Sequence, residues 1–128
     1  MKTDYMKTHE FSIKARLRSF QFAWQGIVAF FFREHNAWLH FMATVSVFTL
    51  ALLAGITQTE MFALVLSIGF VWAAEMFNTC IEHIMDFVTV EKHREIKFIK
   101  DCAAGAVLVA AVTALISGAI IFVPKVFA

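Results

Sequence analysis

A chain of 128 residues with 60% hydrophobic and 16% charged side chains has room for one domain but too little charge to cover it in water. Soluble domains carry roughly 25% charged residues, and a mean hydropathy of +0.73 excludes a disordered chain as well. The net charge of +1 gives no basic bias toward nucleic acid, so the composition points to an integral membrane protein, and the continuous apolar runs below make it an all-α one.

The N-terminus, MKTDYMKTHEFSIKARLRSF, opens polar and lacks an apolar stretch followed by a small-residue cleavage site, so no secretory signal peptide is expected. Residues 12–33 interleave Lys14, Arg16, Arg18, Gln21 and Gln25 with Ile13, Leu17, Phe20, Trp24, Ile27 and Val28. That pattern predicts an amphipathic helix in the membrane interface, with Ser12 as its N-cap. Two readings of it stay open, a surface anchor and one wall of a site for an amphiphilic substrate.

Three segments are long and apolar enough to span a bilayer: 37–56, 61–81 and 103–123, the last ended by Pro124. They are continuous and rich in Ala and Leu, without the alternation of a β-barrel. Six Lys or Arg precede residue 37, and Lys92, Arg94, Lys97 and Lys100 lie between the second and third spans. The TQTE turn at 57–60 has none, and Lys125 alone follows the third span. The positive-inside rule therefore predicts a cytoplasmic N-terminus and a cytoplasmic 83–102 loop. Cys80 and Cys102 form no C-x-x-C or zinc pattern; free thiols buried in apolar helices are expected.

Glu75 lies within the apolar run VWAAEMF, where a charge costs about 2.5–3.5 kcal/mol on insertion scales, so a functional role is the first reading. Asn78, Glu82 and Asp86 follow at +3, +7 and +11, on one side of a helix that cannot face lipid tails. A structural pair for Glu75 would need an interhelical Lys or Arg, and the spans offer none. Lys100–Asp101 at the mouth of the third span and Glu34 at the mouth of the first lie at the same expected depth. Carboxylates with Asn and Lys at one level suit Mg²⁺ and phosphate. Asp86, Glu91 and Glu95 taken singly read as a solvated face, and His40 as an interfacial or packing histidine rather than a metal ligand. Neither a P-loop nor a kinase-type glycine loop, H-E-x-x-H or G-x-S-x-G occurs.

The stretch EMFNTCIEHIMD at 75–86, followed by His93 and KDCAAGAVLV from Lys100, resembles the signature of the bacterial integral-membrane diacylglycerol and undecaprenol kinases. FQFAWQGI from Phe20 and EHNAWLH from Glu34 resemble the family's surface-helix and first-span motifs, so the match runs over about residues 12–120. The resemblance implies a homotrimer with active sites formed between protomers. It implies transfer of the γ-phosphate of Mg·ATP to a membrane-lipid hydroxyl. Carried over by position, Glu75 is the general base, and Glu34 and Glu82 hold the magnesium on ATP. Asn78 and Asp86 support them, and Glu91 and His93 lie in the loop over the nucleotide. Lys100 and Asp101 hold the phosphate and adenosine ends, and Trp24 and Gln25 face the lipid. The chain departs from some relatives at Ala15, where an Arg touches ATP, and at Phe22, where a Tyr stands. The motifs stand closer to the undecaprenol branch than to diacylglycerol. A small ion or proton carrier using Glu75 and Glu82 is the alternative from a different class; a structural membrane adaptor is a third.

Overall fold

The computed structural model describes residues 12–89, 91 and 93–127, and these form four helices. They are α1 (Ile13–Arg33), α2 (His35–Leu53), α3 (Gln58–Val88) and α4 (Arg94–Val126). The last three are long and apolar enough to cross a membrane. The chain divides into two compact units, one ending at Trp38 and one beginning at Leu39.

In the first unit, the Ser12 hydroxyl caps α1 by accepting from the Ala15 N–H at 3.3 Å. Ile13, Leu17, Phe20 and Trp24 are exposed. Helix α1 ends where Glu34 turns extended; its N–H still donates to the Phe30 carbonyl, while its own carbonyl accepts from Ala37. Glu34 is thus a one-residue joint, and α2 starts at His35, two residues before the apolar run at 37–56.

The second unit is built on α3 and α4, which pack antiparallel. Lys125 reaches Glu60 at one end (3.2 Å) and Lys100 reaches Asp86 at the other (2.7 Å). Buried Ala103 and Ala110 let the two backbones approach, and Ser67 hydrogen-bonds Ser117 between them at 3.2 Å. Ala51, Leu64 and Ile121 form the small core where α2, α3 and α4 meet.

Helix ends differ from the apolar limits because local capping sets them. After Leu53 the chain closes with a Schellman motif: Ile56 N–H donates to the Ala51 carbonyl and Gly55 N–H to that of Leu52. Gly55 adopts φ 58°, a left-handed conformation that a Cβ would strain. Thr57 then opens α3 with a reciprocal capping box to Glu60. Most of TQTE is therefore helix, and α3 continues past residue 81 to Val88. Pro124 does not end the third span, because α4 carries it in its last turn. Its missing N–H costs one backbone bond near a terminus already short of partners.

Cys80 and Cys102 are free, and both are exposed rather than buried. The buried stripes of α3 and α4 run through Val71 and Glu75, and through Ala103 and Ala110, which leaves the cysteines on other faces.

Candidate active site

One face of α3 changes character along its length. Leu64 and Val71 are buried on it first, followed by Glu75, then the half-buried Asn78 and Glu82, and finally exposed Asp86. The 3.6-residue repeat keeps all of them in one row. Glu75 is 8% exposed and is the one buried charged residue among those described.

Glu75 has a partner on α2 that is neither Lys nor Arg. His40 Nε2 lies 2.6 Å from Glu75 Oε1. The spans hold no Lys or Arg for Glu75, but a structural partner did not need one: the imidazole of His40, four residues into the first apolar run, takes that place. Two further residues absent from the sequence reading join it. Trp72, one turn before Glu75, donates its indole N–H to Thr44 Oγ1 at 3.0 Å and sets its ring edge-on to His40. Thr44 in turn donates to the His40 carbonyl at 2.7 Å. A polar residue in an apolar run needs a partner. That rule, applied to His40 and Thr44 as well as to Glu75, was the available signal.

Further along α3, Asn78 Nδ2 donates to Glu82 Oε1 at 3.2 Å, while Asn78 Oδ1 is buried without a hydrogen-bond partner. Asp86 accepts from Lys100 at 2.7 Å. Lys100 does not pair with its neighbour Asp101, whose carboxylate takes Lys97 one turn earlier on α4. Adjacent helix residues point about 100° apart, whereas i and i+4 face each other. The hydrogen bond from Lys100 to Asp86 holds its ammonium above the ordinary lysine range, with Glu82 adding to the field, in the turn before the apolar stretch.

Two cavities flank this row. An apolar one of 460 Å³ runs between α2, α3 and α4, from Leu50 and Phe122 up to His40 and Trp72. A polar one of 750 Å³ lies where α3 ends and α4 begins. Asp86, Glu91, His93, Lys100 and Asp101 line it, as do Arg94 and Lys97, which the sequence reading did not assign. His93 is also the N-cap of α4, its Nδ1 accepting from the Glu95 N–H at 3.3 Å. The structure thus brings five of the expected residues into one cavity and puts Glu75, Asn78 and Glu82 on the row that leads to it. Glu34, Trp24 and Gln25 belong to the first unit, where Trp24 is exposed. Among the described residues no three His, Cys, Asp or Glu side chains gather closely enough to hold a metal by themselves.

Residues 21–122 match the family described as prokaryotic diacylglycerol kinase. The chain belongs to that family. It is a family of lipid kinases. The chain is 36% identical to the undecaprenol kinase of Bacillus subtilis over 119 residues, which is 93% of this chain and 97% of that one. It is also 36% identical to the diacylglycerol kinase of Synechocystis over 109 residues, 84% of this chain but 62% of the longer relative.

Proposed function

We propose that the protein transfers the γ-phosphoryl group of Mg·ATP to the hydroxyl of a membrane lipid, undecaprenol in preference to diacylglycerol. One observation carries this reading. A buried carboxylate, Glu75, begins a polar row on α3 that leads through Asn78 and Glu82 to Lys100 and a polar cavity at the helix ends.

Phosphoryl transfer asks the protein for positioning and charge neutralisation more than for covalent chemistry. Glu75 takes the proton of the lipid hydroxyl as the hydroxyl oxygen bonds to the γ-phosphorus. The bond from that phosphorus to the βγ-bridging oxygen breaks, and its electron pair leaves with ADP. Glu75 and Glu82 are seven residues apart, about 10 Å of helix axis. A lipid hydroxyl and a γ-phosphate fit in that interval. Lys100 binds the phosphates, and Glu91, His93 and Asp101 enclose the nucleotide.

The donor set at Asn78 and Glu82 fits magnesium. The buried Asn78 Oδ1 lacks a partner beside a carboxylate, and Mg²⁺ takes oxygen ligands from one or two carboxylates plus substrate phosphates. Glu82, with Glu34, would hold the ion, which supplies charge neutralisation on the phosphates. Trp24 and Gln25 on α1 contact the lipid at the interface.

The undecaprenol preference draws support from end-to-end coverage of the Bacillus relative, since identity is the same for both relatives. The Lys and Arg distribution supports a cytoplasmic-membrane location with the N-terminus and the site facing the cytoplasm. The active unit is a homotrimer with sites shared between protomers.

The test is transfer of radiolabel from ATP to lipid by purified protein in lipid vesicles, with undecaprenol and diacylglycerol in parallel. Glu75→Gln abolishes transfer and leaves expression and assembly intact. Near wild-type turnover in that variant excludes Glu75 as the base, and a higher kcat/KM for diacylglycerol reverses the substrate preference.

A further inference from the structure

We infer that His40 is the positioning residue of the reaction, fixing the Glu75 carboxylate so that one oxygen is held and the other faces the lipid hydroxyl. This rests on the reading of Glu75 as the base. A carboxylate in an apolar span has several rotamers, and a base is effective only when its accepting oxygen stays within hydrogen-bond reach of the proton it removes.

Glu75 Oε1 is taken by His40 Nε2 at 2.6 Å. A general base must be ionised to take a proton, and an ionised carboxylate only accepts, so in the proposed role Nε2 carries the hydrogen. A hydrogen bond to an ionised group is short and directional, which suits it to orienting that group.

The histidine is itself held from two directions. The Trp72 ring stands edge-on to the imidazole, with centroids 6.2 Å apart. The Trp72 indole N–H also donates to Thr44, whose hydroxyl donates to the His40 backbone carbonyl. Trp72 lies one turn before Glu75 on α3, and Thr44 one turn after His40 on α2. The base and its partner are therefore tied at one level of the helix pair. Asn78, one turn beyond Glu75, donates to Glu82 instead and leaves the orientation of Glu75 to His40.

A pair that merely satisfied two polar groups inside the membrane would affect stability alone. A positioning role predicts a loss of kcat that depends on the reach of the donor. Glutamine places an amide N–H near the position of Nε2. Asparagine has the same chemistry and is one methylene shorter. Wild type, His40→Gln, His40→Asn and Glu75→Gln would be compared as full-length protein in lipid vesicles, with undecaprenol and Mg·ATP as substrates. Thermal stability would be measured alongside. The expected result is a kcat about 10- to 100-fold lower in His40→Asn, with KM for ATP unchanged and His40→Gln recovering most of the loss. Equal kcat in the Gln and Asn variants, or a His40→Asn turnover within about twofold of wild type, overturns the proposal while an inactive Glu75→Gln keeps the base assignment. A wild type that transfers no phosphate to undecaprenol, or to diacylglycerol supplied in its place, overturns the kinase reading and this proposal with it.

Discussion

In the proposed site, Lys100 is a cation prepared for a phosphate before the phosphate arrives. Its side chain is one-third exposed and lines the polar cavity, and its ammonium is held by Asp86 from the neighbouring helix. A phosphate entering that cavity meets a cation already fixed in place. Hydrogen bonds to charged groups contribute about 1.5–3 kcal/mol, so Lys100→Met should raise KM for Mg·ATP by about 10-fold or more. Lys100→Arg should recover part of that loss, and Asp86→Asn should cost less than Lys100→Met because the cation remains. Steady-state kinetics across an ATP series checks the ordering; an unchanged KM in Lys100→Met removes Lys100 from the phosphate site. The row Glu75, Asn78, Glu82, Asp86 was legible in the sequence because helical periodicity alone puts its members on one face. The partners were not. His40 is thirty-five residues from Glu75, and their meeting depends on how α2 lies against α3, which periodicity does not encode. Lys100 and Asp101 adjoin in sequence, yet the helix turns such neighbours apart, giving Lys100 to Asp86 and Asp101 to Lys97.

At the scale of elements, hydropathy located the three apolar helices but not their ends. Helix α3 has 31 residues, about 46 Å at 1.5 Å per residue, against a hydrocarbon core of about 30 Å. The excess is what carries Glu82 and Asp86 out toward the polar cavity. Capping chemistry sets the other end, and it was written in Gly55, Thr57 and Glu60 rather than in hydropathy. Thr57→Ala removes one half of the capping box and should cost about 1 kcal/mol. Gly55→Ala places a Cβ on a left-handed residue and should destabilise to a similar extent, about 1 kcal/mol. Reversible unfolding in mixed micelles measures both losses. Because this turn lies at the opposite end of α3 from Asp86, kcat per folded molecule should stay at the wild-type value. A turnover defect as deep as that of Glu75→Gln would mean that the turn belongs to the site.

For the whole molecule, the decisive feature is how little of the apolar surface one chain covers. In the second unit, Leu52, Leu53, Phe62, Phe70, Phe77, Leu115 and Ile120 are each more than half exposed, and Ala51, Leu64 and Ile121 are the core that three long helices share. Such helices bury their outer faces against lipid or against copies of themselves, and small residues on α4 suit close approach to a partner. The proposed homotrimer uses the second option for part of that surface, and a shared site makes it testable without a structure of the assembly. Single-defect variants of Glu34, Glu75 and Lys100 would be co-expressed in pairs at a one-to-one ratio. If two residues of one site come from different protomers, random mixing leaves about a quarter of the sites with both intact. At least one pair should therefore recover about a quarter of wild-type turnover, although each variant alone is defective. Sites contained within single protomers would leave every mixture at the average of its two parents.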